Sequence, residues 1–289
     1  MQNLDGSNFY SFVLGSFLNV TKARKLRTMA DALKKALEKN YNTIGSAMIE
    51  KLYSENFLSL SGADGTDRLV AASNTEQGAH VLDIGCGLGG PAMRIASKHG
   101  RKVTGVDLVA TNVMTASARV LEAGLSDQVQ IMEGDATALS FADESFDAVL
   151  SQDALCHVPD KDAALGEATR VVVQNGAIGL TDWVETDKMT EARRAEVLDA
   201  LSAPNLQTQT GYEQAMEGHG VQVTVSEDIS NVFAEFYDGV MVRLKKMEAE
   251  ISDRFSPRVF TIMMQKNGVF QTAFAEGSLG GALIVGDRK

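Results

Sequence analysis

From residue 78 onward the chain alternates short, continuous apolar runs with longer segments whose apolar residues recur every three or four positions. Continuous runs mark strands buried on both faces, and the wider recurrence marks helices. The pattern predicts strands at Val81–Ile84, Lys102–Asp107, Val129–Glu133 and Phe146–Ser151. Helices are predicted over Pro91–Lys98, Asn112–Ala123 and Asp162–Val172, and a fifth strand over Gly176–Asp182 with Asn175-Gly176 as the turn before it. Strands alternating with helices imply a mostly parallel sheet with crossover helices, whose ligands bind beyond the carboxyl ends of the strands.

Ahead of the sheet the pattern is helical. Met29, Leu33 and Leu37 share one face, Asn40-Tyr41-Asn42 interrupts the pattern, and Ile44, Met48, Ile49 and Leu52 resume it, so Tyr41 falls at a helix junction. A loop over Ser59–Gly65 and a helix from Thr66 towards Asn74 lead into the first strand. Beyond Trp183 the alternation breaks. Helices are predicted at Glu191–Leu201, around Tyr212–Glu217, at Val232–Ile251 and at Pro257–Phe274, with strands at Val221–Val225 and Ala282–Val285. If these last strands pair in the same sheet, everything between them is an insertion over the ligand edge. The expected organisation is a helical cap over 1–77, a cofactor-binding core over 78–182, and the rest of the sheet over 183–289 with a lid at about 228–278.

Composition narrows the function classes. Lys plus Arg number 27 against 38 for Asp plus Glu, a net charge of −11 that argues against a nucleic-acid surface and leaves small molecules as partners. The two cysteines, Cys86 and Cys156, are too few for a disulfide framework or a metal cluster and read as reduced interior residues. Phe9–Val20 is too short to span a bilayer and lacks a basic leader, so it is expected to be a packed cap helix, and the chain to be cytoplasmic with no membrane partner.

The candidate chemistry begins at Val81–Gly90, where a strand gives way to a glycine turn and then to a helix opened by Pro91. Gly85, Gly87 and Gly90 also satisfy the spacing of dinucleotide sites, so the turn alone leaves a nicotinamide and other adenosine-bearing cofactors open. Acids follow at successive strand ends: Asp83, Asp107, Asp135 and Gln152-Asp153. Asp107 stands 22 positions after Gly85, where a carboxylate can accept from both hydroxyls of an adenosine ribose. Asp135 can accept from an adenine amino group while the Ala136 backbone serves a ring nitrogen.

Asp83-Ile84-Gly85-Cys86-Gly87-Leu88-Gly89-Gly90, Val103–Asp107, Gly134-Asp135-Ala136 and Ser145–Asp153 resemble the class I S-adenosylmethionine-dependent methyltransferases over roughly residues 78–182. The resemblance implies a Rossmann-like α/β fold with a seven-stranded sheet whose last strand is antiparallel. It gives the glycine turn, Asp83 through Gly87 with Cys86, to the methionine portion of S-adenosylmethionine, Asp107 to the ribose, Leu108 to packing on adenine and Asp135 to its amino group. Gln152 joins the cofactor set, and S-adenosylhomocysteine is the expected product. Tyr53–Ser59 and Ser151–His157 are similar to segments of small-molecule N-methyltransferases of the phosphoethanolamine and sarcosine/dimethylglycine type. That similarity makes Tyr41 and His157 the residues that close over the ligands and turns Asp153 towards the amine. Trp183 stands where the phosphoethanolamine enzymes have a tyrosine, with Pro204 and Leu206 further on, which disfavours a phosphate ester.

A sulfonium methyl is already activated, so alignment and exclusion of water are the enzyme's main tasks, and neither a metal nor a covalent intermediate is required. Asp153 or His157 can relay a proton from an amine, and Trp183, Tyr41 and Asp153 can face a newly formed cation. The expected activity is methylation of a small amine or amino acid such as sarcosine or dimethylglycine. S-methylation of a thioether such as methionine is the alternative, followed by a protein that binds S-adenosylmethionine without transferring its methyl. A substrate carboxylate has seven candidate partners: Arg193, Arg194, Arg243, Lys245, Lys246, Arg254 and Arg258.

Overall fold

The computed structural model describes Lys34, Lys35, Leu37, Glu38 and residues 41–289, and the expected elements at Phe9–Val20, Met29 and Leu33 lie outside them. The described chain opens with α1 (Thr43–Leu52), whose N-terminal amides at Ile44 and Gly45 are capped by the Asn42 side chain, and α2 (Gly62–Ala72). The first half of the sheet then runs β1 (His80–Ile84), α3 (Gly90–His99), β2 (Lys102–Asp107), α4 (Ala110–Glu122), β3 (Val129–Glu133) and β4 (Phe146–Gln152). A 3-10 turn at Leu155–His157 precedes α5 (Lys161–Val171), β5 (Val172–Glu185), α6 (Glu191–Leu201), α7 (Gln209–Gly218) and β6 (Val221–Asp228). The connection from β6 to β7 (Leu279–Arg288) is filled by α8 (Ser230–Lys246), α9 (Glu248–Arg254) and α10 (Pro257–Glu276).

The strands form one seven-stranded sheet in the order β3-β2-β1-β4-β5-β7-β6, with β7 antiparallel to both of its neighbours. The chain winds outward from β1 to β3 and returns to β4 on the other side of β1. That reversal opens a crevice at the carboxyl ends of β1 and β4, where ligands of such sheets bind. Register brings the ends level: Ile84 lies beside Val106 and Ser151, and Asp107 beside Glu133. The glycine turn, Asp107 and Asp153 therefore emerge along one edge.

Strand periodicity divides the core into two layers. Val81, Ala148, Leu150, Leu283 and Val285 pack on the layer with α2, α3, α8 and α10. Their neighbours Leu82, Val149, Ile284 and Ile178 pack on the layer with Leu165, Tyr212 and Met216 of α5 and α7. Each fully buried aliphatic side chain contributes roughly 1.5–3 kcal/mol, so both faces are held. No helix among the described residues is long and apolar enough to cross a membrane.

Several boundaries differ from the sequence reading: α2 begins at Gly62, inside the expected loop, and β7 runs over Leu279–Arg288 rather than Ala282–Val285. Residues 175–176 are not the turn before β5 but an irregularity inside it: Asn175 takes a left-handed φ of 60°, and pairing with β4 passes from Phe146–Val172 to Ala148–Ala177. The bulge absorbs the turn residues without ending the strand. The predicted helix over 232–251 is two helices, divided at Met247, whose amide is shared among the carbonyls of Arg243, Leu244 and Lys245.

Candidate active site

The glycine turn is fixed from below by β2, since the amides of Gly85 and Cys86 both donate to the Val106 carbonyl, at 2.8 and 3.0 Å. Gly85 has φ +75°, and a Cβ there would lie 2.2 Å from the Ala154 Cβ. The turn thus presses against the residue that follows Asp153, so the two sides of the crevice meet. Leu58 lies over Gly87, and Gly90 donates to the Asn56 carbonyl at 3.1 Å, so the segment between α1 and α2 covers the turn. Within that segment the buried Ser59 hydroxyl has no hydrogen-bond partner.

Asp83 accepts from the Ala92 amide at the start of α3, where a carboxylate complements the helix dipole. Its Oδ2 is buried without a partner, and burial, with the nearby charge of Asp107, pushes its pKa up to about 7. Asp107 is held by the Gly87 and Val109 amides, both at 2.9 Å, and burial pushes it up to about 6. Asn112 ties it to the cap. Its amide nitrogen stands 3.4 Å from Asp107, its oxygen accepts from Ser46, and the Ser46 hydroxyl also reaches the Tyr41 carbonyl at 3.1 Å. Leu108 and Ala136 are half-buried and Asp135 is exposed. One Asp135 oxygen accepts from both the amide and the hydroxyl of Thr137, at 2.9 and 2.8 Å.

Across the crevice, Asp153 adopts a left-handed φ of 56° at the end of β4. A non-glycine residue bears strain there, which two hydrogen bonds offset: Oδ2 accepts from the Leu60 amide at 2.7 Å and Oδ1 from the Thr181 hydroxyl at 2.8 Å. Burial raises its pKa to about 8, with Asp182 adding to the rise. The Tyr41 phenol lies 2.9 Å from His157 Nε2, with the two rings edge to face. Burial raises the phenol well above its usual value and lowers His157 to about 4, so at neutral pH the phenol donates to a neutral imidazole. Burial likewise keeps Cys86 and Cys156 as thiols.

The structure brings Tyr41, Asp153 and His157 together with the glycine turn and Asp107, and it treats two other expected residues differently. Gln152 was expected on the cofactor, yet its amide is taken up by α2: Oε1 accepts from the Thr66 hydroxyl at 2.6 Å and Nε2 donates to the Gly62 carbonyl at 3.0 Å. Its side chain fixes α2 to the strand end. Trp183, expected at the acceptor, is 3% exposed and ringed by Phe233, Tyr237, Phe270 and Phe274 at centroid distances of 5.2 to 6.2 Å. The indole there anchors α8 and α10 to β5. Tyr53, which sequence reasoning passed over, enters the site instead. Burial raises its phenol above the usual range, Asp153 and Cys156 raise it further, and Arg243 opposes them. A signal for it is present in the sequence, because Tyr53 and Ser59 bound the segment that is similar to the small-molecule N-methyltransferases. A surface concavity of about 480 Å³ between α8 and α10, lined by Tyr237, Gln271 and Phe274, lies away from these groups.

The switch-point crevice with acids at successive strand ends belongs to a Rossmann-like fold of the kind that methyltransferases share. Residues 82–180 match the methyltransferase domain family. Phosphoethanolamine N-methyltransferase 1 of Arabidopsis thaliana is 27% identical over 216 residues, covering 75% of this chain and 43% of that protein. Among solved structures, phosphoethanolamine N-methyltransferase 2 of Haemonchus contortus, in complex with phosphomonomethylethanolamine and S-adenosylhomocysteine, superposes with a TM-score of 0.81 at 21% identity, covering 89% of this chain and 60% of that one. A Galdieria sulphuraria protein described as a sarcosine dimethylglycine methyltransferase superposes with a TM-score of 0.73 at 21% identity, covering 78% and 84%. Sterol 24-C-methyltransferases are among the relatives as well. The chain spans about half the length of the curated relatives it matches.

Proposed function

We propose that this chain transfers the methyl group of S-adenosylmethionine to the nitrogen of a small amine or amino acid of the sarcosine or dimethylglycine type. The observation that carries the reading is Asp153 placed beside the glycine turn, its neighbour Ala154 touching Gly85, with His157, which follows it in the chain, paired to Tyr41. The names these relatives carry, phosphoethanolamine N-methyltransferase and sarcosine dimethylglycine methyltransferase, support nitrogen as the acceptor.

The residues fit the cofactor. The turn at Gly85–Gly87 and the unpartnered Ser59 hydroxyl suit the polar methionine portion, Asp107 the ribose, Leu108 the adenine face, and Asp135 with Ala136 its polar edge. When bound, the cofactor supplies a methyl group on an already positive sulfur. Everything else falls to the protein. Tyr41, tied to His157, closes the cap side and keeps water from the acceptor. Asp153 is raised close to neutral pH, the range in which a carboxyl group exchanges a proton with an amine most effectively. Once the acceptor nitrogen becomes cationic, the Asp153 carboxylate, steadied by Leu60 and Thr181, faces the new charge.

The test is incubation of the full chain with labelled S-adenosylmethionine and a panel of glycine, sarcosine, dimethylglycine, methionine, ethanolamine, phosphoethanolamine and phenols, read by mass spectrometry. Methylated glycine derivatives are the expected products. Product from methionine or the phenols alone overturns the assignment of nitrogen. Calorimetric binding of the cofactor without any product overturns catalysis.

A further inference from the structure

The seven cations that the sequence leaves undistinguished occupy different surroundings. Arg193 is paired with Glu276 at 2.8 Å and Glu196 at 2.5 Å, and Arg194 with Glu185 at 2.6 Å. Arg254 lies over the Phe255 ring, and Lys245, Lys246 and Arg258 are exposed. Arg243 alone of the seven has a guanidinium nitrogen that is buried with no hydrogen-bond partner. Its Nε donates to the Leu52 carbonyl at the end of α1, its Cζ lies 5.5 Å from the Phe236 centroid, and its Nη2 is buried without a hydrogen-bond partner. Burial lowers its pKa, and the Tyr53 phenol opposes that shift.

The chain makes room for this group. Side chains on a helix lean towards its N-terminus, and one turn earlier stands Gly239, where a Cβ would come within 3.2 Å of Arg243 Nη1. Glycine is a poor choice inside a helix, and here it leaves space for the guanidinium. The group is also joined to the candidate active site. Leu52 immediately precedes Tyr53, the Tyr53 ring meets Phe236 edge to face at 5.7 Å, and the Tyr53 phenol feels Asp153 and Arg243 with opposite signs.

A buried guanidinium nitrogen with an unmade hydrogen bond is costly, and the planar fork it belongs to fits a carboxylate with two parallel bonds. A phosphate dianion calls for more positive charge than one guanidinium, and Arg193 and Arg194 are already neutralised by glutamates. We infer that Arg243 recognises a carboxylate on the methyl acceptor, which is therefore a zwitterion whose other end lies at Asp153. The inference rests on the proposed methyl transfer only for what happens at that second end.

The experiment compares the carboxylate-bearing acceptor that the wild type methylates best with its neutral amide, in wild type, Arg243→Gln and Arg243→Lys. Binding of S-adenosylhomocysteine serves as the check that each variant is folded. The ratio of kcat/KM for the carboxylate over the amide is expected to fall about 10- to 100-fold in Arg243→Gln, chiefly through KM, and to recover in part in Arg243→Lys. Gly239→Ala should move the ratio the same way by less. An unchanged ratio, or equal losses on both acceptors, overturns the inference. If the wild type methylates methionine instead of an amine, the nitrogen assignment fails while the same shift in ratio still upholds Arg243. If an amine is methylated and the ratio stays put, Arg243 falls and the nitrogen assignment stands. Should nothing turn over, calorimetry of dimethylglycine with the S-adenosylhomocysteine-loaded protein decides: binding abolished in Arg243→Gln upholds the inference, and no wild-type binding or an unaltered affinity overturns it.

Discussion

Asp83, Gly85, Asp107 and Asp135 reach the crevice at or just beyond the ends of three neighbouring strands, each delivered by the strand it follows. Tyr41 and His157 meet across 116 positions of chain, and Leu52 and Arg243 across 191. On the cofactor side the acids are fixed by nearby backbone amides, as Asp107 is by Gly87 and Val109. On the acceptor side the partners come from distant segments, as His157 does for Tyr41 and the Leu52 carbonyl for Arg243. The cofactor side therefore tolerates little change, whereas the acceptor side can be altered one contact at a time while the sheet remains in place. If this contrast is right, variants on the two sides should separate cofactor affinity from turnover.

The largest expected effect lies beneath the acceptor side. Trp183→Ala empties the centre of the cluster of Phe233, Tyr237, Phe270 and Phe274 that anchors α8 and α10, and should cost about 3–5 kcal/mol in urea unfolding. A cost below about 1 kcal/mol would mean that the insertion is held elsewhere. On the cofactor side, Asp107→Ala should weaken S-adenosylhomocysteine binding about 100-fold by calorimetry, the loss of two hydrogen bonds to a carboxylate. Asp153→Asn should show the opposite profile, with kcat lower by about 100-fold and cofactor affinity little changed. Equal effects of Asp107→Ala and Asp153→Asn on affinity would erase the distinction between the two sides.

The distinction also governs what the sequence reveals. Buried parallel strands read as apolar runs ending in glycine or acid, so β1, β2 and β4 with Asp83 and Asp107 are legible from local pattern, while the half-exposed edge strand β3, with Asp135 after it, is legible from its place in the alternation. β5 was misread at its start because Asn175-Gly176 has turn chemistry, and only pairing with β4 shows that the strand continues through it. Gln152 could not be read locally either, since its partners Thr66 and Gly62 lie 86 and 90 positions away. The same holds for Arg243, whose residue type was noticed but whose missing partner belongs to three-dimensional packing. Tyr53 and Ser59 are an intermediate case: family similarity marked their segment, and burial shows which of its atoms lack partners.

Protonation sharpens the comparison at a smaller scale. Burial raises Asp83, Asp107 and Asp153 to about 7, 6 and 8. The folded chain then holds protons that the unfolded chain has released, so these groups lower stability as pH rises from about 4 towards 8. His157, lowered to about 4, acts in the opposite sense, but only below about pH 6.5. Between about pH 6.5 and 8.5 Asp153 dominates, and unfolding free energy should fall by about 1–2 kcal/mol, a decline that Asp153→Asn reduces. Over the same range the wild-type rate with an amine should rise as the carboxylate forms. A flat rate would remove Asp153 from proton transfer and leave it only the task of facing the cation.

The smallest expected effect tests the link between cap and core most directly. The Tyr41 phenol is raised by burial and His157 is lowered by it, so the bond between them is neutral on both sides. It should persist unchanged through the neutral pH range, and a bond of this kind contributes about 1 kcal/mol net. Tyr41→Phe removes the hydroxyl but keeps the ring edge against the imidazole at 5.4 Å. Turnover should fall about 5- to 10-fold, with cofactor affinity close to wild type. His157→Ala removes both the bond and the ring contact and should fall further. If the pair closes the site as one unit, Tyr41→Phe has nothing more to remove once His157 is alanine, and the double variant should match His157→Ala alone. Fully additive losses would show that Tyr41 and His157 act on separate steps, and the cap would then close through the Ser46–Asn112 hydrogen bond that runs towards Asp107.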